Sequence, residues 1–289
     1  VRSPFAYTPR RGPLQAASPG AAVSYLGALV VVAFLYSSPI VLVAVGVAAV
    51  LAGVLAESRR AVRAAIWLGL AIALPIVVVN ALVVSRGETV LARLGDWPLL
   101  GPVDVTLEAI VDGAVFGLRA VVVMIAFAVY SSCVDPDRVL RALRPVAGRS
   151  ALTATLVSRL VPVAAADAGR LRDAGRLRGP AAAPLGRAAL VRRLLAGSLD
   201  RAVDVAATLE LRGYGLDAPK PERARRRSRY DARFYAVAAI VLAAAIAGKA
   251  LGADSFDAYP TVAVGAGVAT LTVTAVVALS GFAPWVRRA

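Results

Sequence analysis

The chain has 289 residues, 59% of them hydrophobic and 18% charged, with a mean hydropathy of +0.72. That composition excludes an ordinary soluble domain and leaves room for several membrane spans plus one extramembrane unit. Lys and Arg number 33 against 18 Asp and Glu, His is absent and Cys133 is the one cysteine, so imidazole chemistry, thiol-rich metal sites and intramolecular disulfides are excluded.

Six apolar stretches approach the length of about 20 helical residues that a bilayer core requires. They run over residues 20–36, 39–56, 64–84, 113–133, 234–251 and 260–285. The first two are separated by Ser37 and Ser38 before Pro39, which predicts a tight hairpin. No cleavable signal peptide is expected, because the charged start at Arg2, Arg10 and Arg11 precedes a run without a small-residue cleavage site. In the third span Pro75 and Asn80 predict a kink and an interhelical hydrogen bond. Residues 85–106 carry Gly87, Gly95, Pro98, Gly101 and Pro102, which predict a connective loop with one short extended piece at 103–106. Arg119 falls inside the fourth span, either as a functional charge or snorkelling toward Asp112 two turns away. Glycines 46, 265 and 267, placed within spans, predict close helix packing or contact with another membrane subunit.

Residues 134–233 do not suit lipid, since they hold 21 Lys and Arg. Asp135-Pro136 supplies an N-cap with proline at the first helical position, and the short helix that follows is expected to end near Leu143, before Pro145. Ser150 then caps a second helix with Leu152, Leu156, Leu160 and Val163 at intervals of three and four, with a possible kink at Pro162. A third starts near Leu185 and spaces Leu190, Leu194, Val205 and Leu209 similarly. Asp167, Asp173, Asp200 and Asp204 lie among arginines, so ion pairing is favoured over a metal site. The expected organisation is a membrane region at 1–133, a cytoplasmic helical region at 134–233 and a second membrane region at 234–289.

Basic residues are retained on the cytoplasmic side. Placing the N-terminus inside puts 29 of the 33 there, and the outer loops hold only Arg86, Arg93 and Lys249. Both termini are therefore expected in the cytoplasm, and the net charge of +15 reads as an orientation signal rather than as nucleic-acid binding. The run at 219–229 with Arg225-Arg226-Arg227 reads as an anchor on anionic lipid beside the fifth span.

The tripeptide Leu-Arg-Gly occurs twice, at Leu177-Arg178-Gly179 and Leu211-Arg212-Gly213, each closing a basic helix. Singly, such a sequence is a good helix ending: glycine accepts positive φ and arginine meets the negative end of the dipole. Paired, 34 residues apart, the two ends predict two matching contacts in which a guanidinium fork meets carboxylates or carbonyls of a partner.

The span hairpin, the proline-broken loop, the Asp135-Pro136-Asp137 helix start and the two basic helices ending at 174–179 and 210–215 resemble the transmembrane T component of energy-coupling factor transporters, the EcfT/CbiQ family. The likeness runs from about Ser24 to the last span and is strongest from Asp135 to Gly215. It implies an all-α integral membrane protein of about six transmembrane helices with a cytoplasmic insertion of two long amphipathic coupling helices. In the family each helix ends in an X-Arg-Gly signature, most often with alanine first, and its arginine docks on one of two ATP-binding-cassette ATPases. Carried over, the docking residues are Leu177, Arg178 and Gly179 with Leu211, Arg212 and Gly213; leucine stands where alanine is usual, and the second copy, followed by Tyr214 and Gly215, matches better. The resemblance further implies a non-catalytic subunit in the plasma membrane, without cofactor, metal or nucleic acid, partnered by two ATPases and by a small membrane S component that captures a vitamin or a transition-metal ion.

The residues agree with that division of labour. Lys220 and Lys249 lack the GxxxxGK[ST] context of a phosphate loop, so this chain is not its own conventional P-loop ATPase. A self-contained secondary carrier with a large cytoplasmic loop is the alternative, but it calls for inverted repeats and paired interrupted spans, and neither is evident. A lipid-modifying membrane enzyme would need clustered acids, histidines or a metal motif.

Overall fold

The computed structural model describes residues 4–10, 12–84, 87–97, 101–177, 186–213, 228–253, 256–259, 262–265 and 267–285, with backbone alone at 94–97, 101–103, 141, 143–156, 159, 176, 187 and 264. It divides into two compact units, Val1–Val139 with Arg227–Ala289, and Leu140–Arg226.

The first unit starts with a single turn, α1 (Pro13–Ala16), and then α2 (Pro19–Leu35) and α3 (Pro39–Leu55). Each of the latter two starts with proline at its first position, where a missing N–H costs nothing. Ser18 also caps α2 by accepting from the Ala21 amide at 3.3 Å. At 17 residues, each is about 25 Å long, a few ångströms short of a typical hydrocarbon core. Four other helices are long and apolar enough to cross a membrane: α4 (Arg59–Val83), α5 (Leu107–Cys133), α8 (Asp231–Ala250), and α9 (Val268–Ser280) continued by the 3-10 turn Ala283–Trp285. The protein is therefore an all-α integral membrane protein.

The core of this unit lies among α2, α3, α5, α8 and α9, around Tyr25, Leu29, Tyr36, Leu42, Val129 and Phe234. Tyr25, Phe234 and Trp285 stack edge to face at 5.5–6.4 Å, and the Tyr25 hydroxyl donates to the Ser280 carbonyl. The other apolar side of these helices is bare: Phe34, Val43, Phe127 and Leu279 are all exposed, as lipid-facing residues are.

α4 packs almost entirely against α5. The approach is close because Gly113 and Gly117 place no side chain between the helices: a Cβ on Gly117 would lie 3.0 Å from the Ala73 Cβ, and one on Gly113 3.1 Å from the Val77 Cα. This Gly-x-x-x-Gly spacing is a small-residue interface of the kind that joins helices in lipid. Beside it the Asn80 amide donates to Asp112 at 3.5 Å, the interhelical bond expected of Asn80. Gly117→Leu is expected to force α4 off α5 at a cost of about 1 to 3 kcal/mol. A lower melting temperature in detergent is the readout; an unchanged one would contradict the packing.

Several expectations are corrected. The connection between α4 and α5 is an antiparallel hairpin, β1 (Val90–Trp97) with β2 (Gly101–Thr106), rather than a loop with one extended piece. It is pinned by Glu108, which is buried on the first turn of α5 and accepts from the Thr89 amide at 3.2 Å. The last span starts at Val268, not at 260, because two short strands that pair with each other, β3 (Phe256–Asp257) and β4 (Ala263–Val264), precede it. Gly265 and Gly267 consequently lie outside it, and Gly267 has open space where a Cβ would be. Gly46, by contrast, is packed against Val122. Of the basic residues counted as cytoplasmic, Arg59, Arg60 and Arg63 occupy the first turns of α4.

Arg119 does not reach Asp112. Its Nε donates to the Ala33 carbonyl at 2.8 Å and one terminal nitrogen donates to the Tyr36 carbonyl at 3.1 Å, between the faces of Phe116 and Phe34. Lys249, in the last turn of α8 rather than in a loop, donates to the Leu35 carbonyl at 3.1 Å. Two cations from different helices thus meet the negative end of α2, whose last carbonyls have no helical donor of their own.

Candidate functional site

The second unit is built from two helices, α6 (Pro136–Arg176), which enters it from the first unit, and α7 (Arg187–Leu211). α6 starts as the sequence predicts, with the Asp135 carboxylate accepting from the Asp137 amide at 3.0 Å. Arg138, one turn in, donates to the Gln15 carbonyl and so fastens the root of α6 to α1. The expected break before Pro145 and new cap at Ser150 are absent: α6 runs for 41 residues straight through both Pro145 and Pro162. A proline deletes one amide donor and crowds one carbonyl, whereas the flanking Leu, Ala and Arg residues are strong helix formers that carry the chain across.

α7 keeps Leu190, Leu194, Val205 and Leu209, the residues of its predicted stripe, partly covered, while Val191, Leu195, Leu199 and Val203 are exposed. On α6, Val157, Leu160, Val161 and Val163 are exposed too. Leu152 and Leu156 lie where only the backbone is described. Among the described residues an ion pair joins the two helices. Asp167 on α6 accepts from Arg170 at 2.8 Å through one oxygen and from Arg201 on α7 at 2.9 Å through the other. The hydrogen bond from Arg201, with both guanidinium charges, holds the Asp167 carboxyl below the usual carboxylate range against the opposing effect of burial. A carboxyl depressed in the folded state adds stability above its unfolded pKa of about 4 and loses it only as pH falls through the lower folded value, so the bridge is fully formed at neutral pH.

Both helix ends carry a leucine turned outward. Leu177 follows the last residue of α6, its amide donating to the Asp173 carbonyl at 3.0 Å, and its side chain is 87% exposed. Arg178 and Gly179 lie outside the described residues. Leu211 closes α7 at 88% exposure, and Arg212 follows as an exposed C-cap whose amide bonds the Thr208 carbonyl at 3.2 Å. Gly213 turns left-handed at φ 72°, and its amide donates to the Glu210 carbonyl at 2.8 Å. That is the helix ending read from the sequence, with the arginine held on a short, ordered turn. Gly213→Ala is expected to cost about 1 kcal/mol, since a Cβ disfavours this backbone. Faster hydrogen exchange confined to the last turn of α7 is the readout, and unaltered exchange there would contradict it.

Among the described residues no three His, Cys, Asp or Glu converge as metal ligands. Two shallow apolar grooves, one between α3 and α9 and one between α3 and α5, have almost no polar lining. Sequence reasoning missed the Asp167 to Arg201 bridge as a specific pair, although both charges were visible on adjacent amphipathic helices. It also missed the Gly113 to Gly117 contact, which its spacing would have signalled.

The sequence matches the CbiQ family, described as cobalt transport protein, over residues 11–223, and the chain belongs to that family. None of the curated proteins compared matches it.

Proposed function

We propose that this chain is the transmembrane coupling subunit of an ATP-driven importer of the energy-coupling factor type, and that α6 and α7 are its coupling helices. The reading rests chiefly on the end of α7, where Leu211, Arg212 and Gly213 form an exposed, conformationally fixed tip. The equally exposed Leu177 at the end of α6 supports a second tip of the same kind. Each tip offers an apolar side chain to bury and a guanidinium to pair, the two elements of a specific contact with a groove on a partner. Arg178 and Arg212 are the docking charges, Leu177 and Leu211 the apolar contacts beside them, and Gly213 the turn that ends α7, with Gly179 its counterpart in the sequence.

The partners are two ABC-type ATPases, which hydrolyse ATP, and a small membrane S component, which holds the cargo. This chain is non-catalytic and conveys ATPase closing to its spans. The cargo is a vitamin or a transition-metal ion, and the family description favours the metal. The subunit sits in the plasma membrane with both termini and residues 134–233 cytoplasmic, an orientation supported by the placement of 29 of 33 basic residues. Affinity purification of the tagged chain from its native membranes is expected to bring ABC-type ATPases with it. Recovery of the intact chain without any ATPase would contradict the proposal.

A further inference from the structure

Asp167 and Arg201 stand in matching places relative to the two helix ends. Asp167 lies eleven residues before Arg178 and Arg201 eleven residues before Arg212. Along the described helices Asp167 lies ten residues before Leu177 and Arg201 ten residues before Leu211, about 15 Å in each case at the helical rise of 1.5 Å per residue. The bridge between them therefore fastens α6 to α7 at a point equally distant from both tips. Its geometry is also prepared: Arg170, one turn along α6, holds one Asp167 oxygen at 2.8 Å and leaves the other aimed at Arg201 at 2.9 Å. Among the described residues the apolar side chains of both helices are half-covered or exposed, so the charge pair is a fixed point between them.

We propose that the Asp167 to Arg201 bridge is the pivot of a two-armed lever, with Asp167, Arg170 and Arg201 acting as positioning residues that make the two tips move as one. The proposal rests on the coupling function above. With the arms fastened at equal lengths, a displacement imposed on either tip is transmitted to the other helix at the crossing. Unfastened, each helix would follow its own ATPase, and hydrolysis would continue without a concerted movement of the spans. An exposed ion pair adds little to folding stability, so its replacement leaves the protein folded.

The test uses the full chain in nanodiscs, with Cys133→Ser and spin labels on Ala174→Cys and Ala207→Cys, both at exposed positions beyond the bridge. The distance distribution between labels is expected to be narrow with the native bridge, broad in Asp167→Arg, and narrow again when Asp167→Arg is combined with Arg201→Asp. In the assembled transporter, uptake per ATP hydrolysed is expected to fall about tenfold in Asp167→Arg, within the range of coupling free energies between sites, and to return in the double reversal. ATPase copurification stays intact throughout, because both tips are untouched. A native-like distance distribution in Asp167→Arg, or undiminished uptake per ATP, would overturn the pivot. Loss of ATPase binding in the unmodified chain would instead count against the coupling function, while the distances, measured on this chain alone, would still decide the pivot.

Discussion

Arg178→Glu combined with Arg212→Glu is expected to abolish transport while leaving membrane insertion and the fold intact. Arg212 is solvent-exposed at the end of α7. Its replacement therefore acts on the partner, not on the core. A guanidinium acceptor site faced by a carboxylate costs on the order of 2 to 5 kcal/mol, so two such reversals lower ATPase affinity by at least a factor of about 100. Arg212→Glu alone is expected to have a partial effect, since one tip remains. Uptake in whole cells, together with ATPase recovered on the tagged chain, is the measurement. Wild-type values for both in the double variant would remove the docking role from these residues.

The second large effect is expected at Arg119. Its guanidinium supplies donors to the Ala33 and Tyr36 carbonyls at the end of α2, and Lys249 supplies another to Leu35. Arg119→Leu would remove two charge-assisted bonds from the end of α2, a loss worth about 3 kcal/mol. Arg119→Lys should recover only part of this, because an ammonium does not reproduce the planar fork that reaches both carbonyls. Thermal unfolding in detergent is expected to order the variants native, Lys, Leu. If uptake falls in proportion to folded protein, Arg119 is a structural cap; uptake lost in a fully stable Arg119→Leu protein would make it a transport residue and contradict this assignment.

Most helices were legible in the sequence because each has a local signal. Pro39, the Asp135-Pro136 start and the long apolar runs set the starts of α2, α3, α6 and α8 to within a few residues, whereas α4 and α5 begin five and six residues before the runs that signalled them. The ending of α7 was legible for the same reason, since glycine after Leu-Arg demands a left-handed turn. What the sequence obscured depends on partners distant along the chain. Arg119 is paired with backbone carbonyls some 80 residues away, and a search for carboxylates finds only Asp112. The β1–β2 hairpin was hidden because its Gly and Pro residues signal breaks, while the pairing of Val90 with Thr106 is a non-local fact. Pro145 misled because proline has a strong local preference that surrounding helix formers overrode. Within the candidate site, the residue types at both tips were legible; the bridge was not, because choosing Arg201 for Asp167 among so many arginines requires knowing where the helices cross.

Accessibility of the tips tests the coupling account most directly. With Cys133→Ser as background, Arg178→Cys and Arg212→Cys are each exposed to a membrane-impermeant thiol reagent in inside-out vesicles and in intact cells. The account predicts rapid labelling at both positions in inside-out vesicles, protection once the ATPases are assembled, and no labelling from outside. Labelling from the outer face, or two tips that stay unreactive in inside-out vesicles stripped of ATPase, would contradict it.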